Sequence, residues 1–318
     1  MMREILSRRL HKNVTAALFG KTSVLPGSGA SGMTREKSVL YLILFAGAMT
    51  GLVFGAAPDL DLDISRIAFY PGTTEANTSS SAALLALLRD IHIKFFAFIV
   101  MASAGVLLLR LAYARSWVPI PVRAAWFVLL VFAIGPGLIA NAVFKENWSR
   151  PRPAHVEEFG GPHSFKAWWD PSGACERNCS FVSGEAAAGF AVLAFAALAP
   201  ATFRLRAIGL ALAYGAFVGG LRIVAGGHFM SDVIFAGILT ALTVWVLHGM
   251  IYRWPATRVT EEQALARIDA FGRVVGALAI VPIRRAFVGL RVLRANLRTH
   301  WTAARSGLAR QRTQASRG

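Results

Sequence analysis

The chain has 318 residues, of which 55% are hydrophobic and only 16% are charged. This composition is too apolar for an ordinary soluble domain, and apolar stretches of about twenty residues, the length that spans a bilayer as a helix, recur along the chain. The net charge of +17 would suggest nucleic-acid binding in a soluble protein. Here the basic residues concentrate at the two ends and in short loops, so we predict contacts with anionic lipid and no nucleic-acid partner.

The N-terminal segment, 1–37, is basic, and its part 22–32 is rich in glycine and serine. The apolar piece 14–20 is too short for the hydrophobic core of a secretory signal peptide. We therefore predict a disordered cytoplasmic segment. Met33 opens an alternative start, in which 1–32 would not belong to the native product.

The central part of the chain, 38–252, is predicted to be an all-α bundle of six transmembrane helices. The predicted spans are 39–57, 95–113, 124–144, 183–200, 207–224 and 232–252. The piece 81–91 has two interpretations, a short helix at the membrane interface or an early start of the second span. Within the third span, Gly135, Pro136 and Gly137 predict a kink.

The C-terminal tail, 253–318, is rich in arginine. Apolar residues and arginines recur at helical spacing over 262–301, which predicts an amphipathic helix on the cytoplasmic membrane surface, in contact with anionic lipid. The alternative is a solvated tail that only enforces the orientation of the protein.

Basic residues in the short loops predict the orientation. If the N-terminus is cytoplasmic, then 110–123, 200–206 and the tail are cytoplasmic and basic, whereas 58–94, 145–182 and 225–231 lie outside. We therefore predict a multi-pass protein of the bacterial inner membrane, with both termini cytoplasmic and an active site at the outer, periplasmic face.

Several cations lie near the outer ends of spans, where this rule disfavours them, and an anionic ligand would explain their position. They are Lys145, Arg150, Arg152 and Arg222. Pro151 and Pro153 disfavour a continuous helix around the first three, so an extended turn is expected there.

Two further outer segments carry groups that suit a phosphate. Ser183 is a typical N-cap for the fourth span, whose free backbone N–H groups form an anion site, and Gly184 lets a ligand approach closely. His228 and Asp232 are four residues apart, so on a helix they would share one face. The carboxylate would fix which imidazole nitrogen carries the proton and leave the other free to attack, while Arg222 has a planar fork for phosphate oxygens.

These segments resemble the signature motifs of the type-2 phosphatidic acid phosphatase and haloperoxidase superfamily, in its membrane-bound lipid phosphatase branch. Lys145 and Arg152, followed by proline, match the first motif, and the third is matched by Arg222, His228 and Asp232. The second motif usually has the sequence Pro-Ser-Gly-His. Here it is Val182, Ser183, Gly184 and Glu185, so glutamate replaces the motif histidine. The resemblance covers about 90–252.

The resemblance implies phosphate ester hydrolysis without a metal or cofactor, through a phosphohistidine on His228 that Asp232 orients. The groups expected to neutralise the phosphate oxygens are Lys145, Arg152, Arg222 and the backbone of Ser183 and Gly184. Arg150 is a further cation with two alternative roles, assisting catalysis or binding lipid headgroups.

The role of Glu185 has two interpretations. In the family the motif histidine protonates the leaving alkoxide, and a glutamic acid could do so only with its pKa raised toward neutrality. A helix N-terminus and nearby arginines favour the carboxylate instead. Alternatively, Glu185 holds a phosphate-binding arginine in place.

Cys175 and Cys179 lie on the predicted outer side, and no further cysteine completes a zinc site. In a periplasm, a disulfide closing this short loop is expected. On a straight helix, the same spacing would place both sulfurs on one face without constraining much.

Three classes of function fit these residues. The leading prediction is a phosphoric monoester hydrolase acting on lipid A phosphate, undecaprenyl diphosphate or a glycerophospholipid phosphate. Glu185 and the long loop bearing Trp168 and Trp169 favour a bulky headgroup such as lipid A. The alternatives are a lipid phosphotransferase and a non-catalytic membrane protein that binds phospholipids.

Overall fold

The computed structural model describes the backbone of residues 29–69, 80–112 and 120–274. The longer helices are α1 Gly29–Ala56, α2 Asp59–Ala68, α3 Ser80–Ala112, α4 Val122–Phe132, α7 Ala201–Val224 and α8 Met230–His248. Two short helices, α5 Gly184–Phe190 and α6 Leu193–Leu198, lie between α4 and α7, and a final helix, α9, covers 261–274. The named elements of the described residues are all helical, which confirms the predicted all-α class.

Five segments of the described residues are long and apolar enough to cross a membrane. They are Glu36–Ala56, Ala82–Leu111, Val122–Asn147, Ala201–Val224 and Met230–Arg253. The fourth predicted span corresponds to the shorter apolar segment Gly184–Leu198. At 1.5 Å per residue this segment is about 22 Å long, which is less than the ~30 Å of a bilayer's hydrocarbon core. A sixth crossing therefore stays a prediction.

Two local predictions have clear outcomes. The helix α3 runs without interruption through 81–91, which favours the early start of the second span over a separate interfacial helix. Beyond α4, Ala133–Phe144 form a π-helix that contains Pro136 and leads into a helical turn, Lys145–Asn147. Proline has no N–H to donate to the regular helical ladder, so an irregular helix is expected here.

The predicted disordered segment and tail lie partly outside the described residues. Helix α1 already begins at Gly29, whereas 1–28 are not described. In the tail, the helix predicted over 262–301 is seen as α9 up to residue 274, and 275–318 are not described.

Helix α9 is docked on the protein. The Glu261 carboxylate accepts the backbone N–H groups of Val122, at 2.7 Å, and Arg123, at 3.1 Å, and so caps the N-terminus of α4. Ala264 and Ile268 are buried with Val122 in one apolar cluster. The first residues of the tail thus pack against the end of the bundle that is predicted to be cytoplasmic.

The segments predicted to lie outside meet at the other end of the bundle. The Ala154 N–H donates to the Gly226 carbonyl at 3.0 Å, and the Ser180 N–H donates to the Arg150 carbonyl at 2.8 Å. Beneath them lies a cluster of buried apolar side chains that includes Phe181, Phe190 and Val233. This packing brings 145–152, 180–185 and 222–232 together.

Candidate active site

The loop between α7 and α8 places His228 before the helix, not on it. Gly226 adopts φ +64°, and a Cβ there would lie 2.5 Å from the Phe69 ring, so glycine is required. Helix α8 starts at Met230. The expectation that His228 and Asp232 share one helix face is therefore wrong, because His228 lies in the loop before α8 and only Asp232 is on the helix.

His228 is held by a backbone carbonyl. Its Nδ1 lies 2.7 Å from the carbonyl oxygen of Ser180 and 3.7 Å from Oδ2 of Asp232. Because a carbonyl oxygen can only accept a hydrogen bond, the Nδ1 atom carries the proton. The Nε2 atom then keeps its lone pair, which is the arrangement that a nucleophilic imidazole needs.

The environment keeps His228 neutral. Burial lowers the pKa of His228 to about 4, although the Asp232 carboxylate opposes this shift, and the charges of Lys145 and Arg152 lower the pKa further. The imidazole is 1% exposed. At neutral pH it is therefore unprotonated on Nε2.

Asp232 acts on Ser180 more directly than on His228. Its Oδ2 atom accepts the Ser180 hydroxyl at 2.5 Å and the N–H of Phe229 at 2.9 Å. Its other oxygen accepts the guanidinium of Arg150. Asp232 thus fixes the residue whose carbonyl orients the histidine. Ser180 was not predicted from the sequence, because only the packing of its loop against α8 gives it this position.

Arg150 is fully buried and does not face a lipid headgroup. Its guanidinium donates to Asp61 at 2.7 Å, to Ser231 at 2.9 Å and to the carbonyl of Lys166 at 2.8 Å, in addition to Asp232. Headgroup binding by Arg150 is therefore wrong. The hydrogen bonds occupy the guanidinium inside the protein, and this satisfies an otherwise costly buried charge.

Lys145 and Arg152 converge on Asn178. The Arg152 guanidinium donates to the Asn178 carbonyl oxygen at 2.9 Å and to its side-chain oxygen at 3.0 Å, and the Lys145 ammonium donates to that side-chain oxygen at 3.3 Å. Asn178 has φ +52°, a conformation that asparagine tolerates better than most residues. The two predicted phosphate ligands are therefore adjacent.

A disulfide closes the loop that carries Asn178. Cys175 and Cys179 are bonded, with their Cα atoms 5.7 Å apart. The Cys179 N–H donates to the carbonyl of Lys145 at 3.1 Å, and the Cys175 N–H donates to that of Ser149 at 3.2 Å. The disulfide loop is thus joined to the segment that displays Lys145.

The N-terminus of α5 lies in the same region. Ser183 is the N-cap, and its hydroxyl accepts the Ala186 N–H at 3.3 Å. Its own N–H donates to the Asp232 carbonyl at 3.3 Å. A Cβ at Gly184 would lie 2.4 Å from Oδ1 of Asn141. The space beside Gly184 is therefore filled by an amide that sequence reasoning did not find.

Glu185 lies between two arginines. The Arg89 Nε is 3.1 Å from both carboxylate oxygens, and Oε1 lies 3.6 Å from Nε of Arg222. Both guanidinium groups stabilise the ionised carboxylate. Arg89 was missed from the sequence, although a charge in an apolar helix is a signal for a functional residue.

A cavity of about 180 Å³ adjoins this ion pair. Apart from the charged groups, it is lined mainly by apolar side chains of α3 and α7, among them Ala82, Leu85, Ala86, Val218 and Leu221. Within the described part of the chain, no cluster of three or more histidine, cysteine, aspartate or glutamate side chains is arranged to hold a metal ion.

Comparison with known proteins finds similarity over part of the chain. Residues 124–256 match the PAP2 superfamily. A lipid A 4'-phosphatase of Francisella tularensis subsp. novicida (strain U112) is 42% identical over 132 residues, which are 41% of this chain and 60% of the relative. A lipid A 4'-phosphatase of Rhizobium leguminosarum is 38% identical over 112 residues, 35% of this chain and 48% of the relative. The matched part thus spans less than two thirds of either relative. No solved structure matches the chain.

Proposed function

Because residues 124–256 match the PAP2 superfamily, we propose that this protein is a membrane lipid phosphatase that removes a phosphate monoester from a lipid A-type glycolipid. The relatives named lipid A 4'-phosphatase support the substrate class. The five apolar helices of the described residues support a location in a membrane. The site lies at the end of the bundle opposite α9, which supports the periplasmic face of an inner membrane if the basic tail is cytoplasmic.

The observation that carries this proposal is the hydrogen bond of His228 to the Ser180 carbonyl, at 2.7 Å. It leaves a lone pair on Nε2 of a buried, neutral imidazole, whose pKa is lowered by the charges of Lys145 and Arg152. A nucleophile beside fixed cations is what phosphoryl transfer needs, since catalysis there is mostly positioning and neutralisation of charge.

The proposed reaction has two steps. Nε2 of His228 attacks phosphorus, the bond from phosphorus to the sugar oxygen breaks, and that oxygen leaves with a proton from water, which becomes hydroxide. The hydroxide then attacks the phosphohistidine, the bond from phosphorus to Nε2 breaks, and inorganic phosphate leaves while the imidazole is restored. Lys145, Arg152 and Arg222 neutralise the phosphate oxygens in both steps, together with the N–H groups that follow Ser183.

In this proposal Glu185 is not the general acid. A donor must be protonated before it can give a proton, whereas the two arginines around Glu185 favour its ionised form. Glu185 instead holds Arg89 and Arg222 in place, so that Arg222 is presented to the phosphate. This arrangement fits a chain in which glutamate stands at the position of the motif histidine.

Purified full-length protein in detergent tests the proposal. Phosphate release is measured from lipid A, undecaprenyl diphosphate and phosphatidic acid, with EDTA present throughout. The expected result is release from lipid A that EDTA does not reduce. Release only from another lipid would overturn the substrate, and labelled phosphate appearing in a lipid product would favour a phosphotransferase. The absence of turnover with every lipid would favour a non-catalytic lipid-binding protein.

A further inference from the structure

A buried carboxylate outside the family-matched region is tied to the site. Asp61 lies on α2, precedes residues 124–256 and is 1% exposed. Its Oδ1 accepts the Ser231 N–H at 2.9 Å, and its Oδ2 accepts the Ser231 hydroxyl at 2.5 Å and the Arg150 guanidinium at 2.7 Å. No motif of the sequence points to Asp61.

Arg150 connects Asp61 to Asp232. The two ends of its guanidinium are bonded to the two carboxylates, and the guanidinium carbon lies 4.3 Å from the centre of the Phe229 ring. Both carboxylates and the arginine are at most 1% exposed. Four of the five N–H donors of Arg150 are used by partners inside the protein, and the side chain is fully buried. Arg150 therefore acts on the reaction through its neighbours.

The connection continues to the nucleophile through Ser180. Its hydroxyl is held by Asp232, and its N–H donates to the Arg150 carbonyl at 2.8 Å. Its own carbonyl accepts the Nδ1 proton of His228. The orientation of the imidazole therefore depends on a chain of buried hydrogen bonds that starts at Asp61.

The charges of this chain also suit the reaction. Asp61 accepts hydrogen bonds from the Ser231 N–H, the Ser231 hydroxyl and the Arg150 guanidinium, as an ionised carboxylate does. With Asp232 also ionised, the two carboxylates and one guanidinium leave one net negative charge beside a neutral imidazole. When His228 attacks phosphorus, the imidazole becomes cationic, and a fixed negative charge in a dry environment stabilises it. An ion pair of Arg150 with Asp232 alone would be neutral. The carboxylate of Asp61 thus adds a negative charge that is not needed to neutralise Arg150.

We propose that Asp61 is a positioning residue for His228, acting through Arg150 and Asp232. The inference rests on the proposed phosphatase function. Asp61 does not touch the substrate. Without the charge of Asp61, the Arg150 guanidinium attracts Asp232 more strongly and moves it away from Ser180. The imidazole of His228 then loses its orientation, so the chemical step slows while binding of the lipid is retained.

The test compares Asp61→Asn with Asp63→Asn in the full-length protein. Asp63 lies on the same helix but is 57% exposed in a surface pair with Arg66, so it is a matched control. The readout is the single-turnover rate constant at saturating enzyme, which is insensitive to any fraction of inactive protein, together with KM. We expect Asp61→Asn to lower the rate constant by about 100-fold with little change in KM, and Asp63→Asn to match wild type.

A purely structural role would reduce the amount of active Asp61→Asn protein and leave its rate constant near wild type, and this result would overturn the proposal. If Asp61→Asn does not fold, Ser231→Ala takes its place, because it removes one hydroxyl that bridges Asp61 and Arg150. We expect a loss of about 10-fold in the rate constant at unchanged KM, and an unchanged rate constant would overturn the proposal. Failure of the phosphatase function itself would show as an inactive wild type, whereas failure of this inference shows only in the variants.

Discussion

The carbonyl oxygen of Ser180 lies 2.7 Å from Nδ1 of His228, closer than the nearest oxygen of the Asp232 carboxylate, at 3.7 Å. The tautomer of the histidine is therefore fixed by the backbone of another loop. The carboxylate of Asp232 acts by holding the loop that carries Ser180.

The buried imidazole makes stability depend on pH. The pKa of His228 is about 4 when folded, mainly through burial, against 6.5 as the ordinary value. The folded state thus binds fewer protons between these values, and stability present above pH 6.5 is lost as the pH falls toward 4. From pH 7 to pH 5 we expect wild type to lose about 2 kcal/mol more than His228→Gln, which has no such proton to bind. Unfolding at both pH values measures this, and equal losses in the two proteins would contradict it.

Glu185→Gln distinguishes the two roles of this carboxylate. If Glu185 only holds Arg89 and Arg222, the variant should bind substrate more weakly and keep kcat within about 10-fold of wild type. Loss of a general acid would instead lower kcat by roughly 10²- to 10⁴-fold. Steady-state kinetics measure both parameters. The control is Glu146→Gln, because Glu146 forms an exposed pair with Arg177 and its loss should have little effect.

Asn178→Ala should weaken phosphate binding. The side chain of Asn178 accepts hydrogen bonds from both Lys145 and Arg152, so its removal frees the two cations to move. We expect KM to rise about 10-fold with a smaller change in kcat. Asn147→Ala removes an amide that donates to the carbonyl of Val143, four residues earlier, and it should behave as wild type. A KM equal in both variants would refute the positioning of these cations by Asn178.

Reduction of the disulfide should have a similar but smaller effect. The Cys175–Cys179 bond closes the loop that carries Asn178. Opening it with a reductant should raise KM in wild type, by up to about 10-fold, and should add nothing in Asn178→Ala. KM measured in both proteins with and without reductant checks this. An equal additional rise in the variant would show that the disulfide acts elsewhere.

Gly227→Ala should displace Arg222. A Cβ at Gly227 would lie 2.6 Å from the terminal nitrogen of Arg222, whereas one at Gly220 meets nothing within 4 Å. We expect Gly227→Ala to lower kcat/KM by about 10- to 100-fold, because the guanidinium must leave its place. Gly220→Ala, on the helix that carries Arg222, should be close to wild type. Equal activity of the two variants would show that the position of Arg222 is not critical.

Much of this site could be predicted from the sequence because the motifs place charge near the ends of apolar helices. Lys145, Arg152, Ser183 and the residues of 222–232 do lie at one end of the bundle. Along the chain they stand out as polar residues beside apolar spans. Because connections between helices are short, the helices can bring these residues together in only a few ways.

The supporting residues could not be predicted in this way. Asp61 lies in a polar stretch where a carboxylate is unremarkable by composition, and its burial results from the packing of α2 against the start of α8. Ser180 acts through its backbone carbonyl, which carries no signal in a sequence. For Arg150 the sequence left two roles open, assisting catalysis or binding lipid headgroups. Its burial depends on two carboxylates, one of which is remote in the chain.

The proposed function depends on phosphorylation of His228. The most direct measurement is to mix purified protein with lipid A carrying labelled phosphate, quench in alkali during turnover, and locate the label on the peptide. Phosphohistidine is stable in alkali and labile in acid, so the account predicts an alkali-stable, acid-labile label on His228 that is missing from His228→Ala. A labelled lipid that loses phosphate equally fast with wild type and His228→Ala would contradict the account.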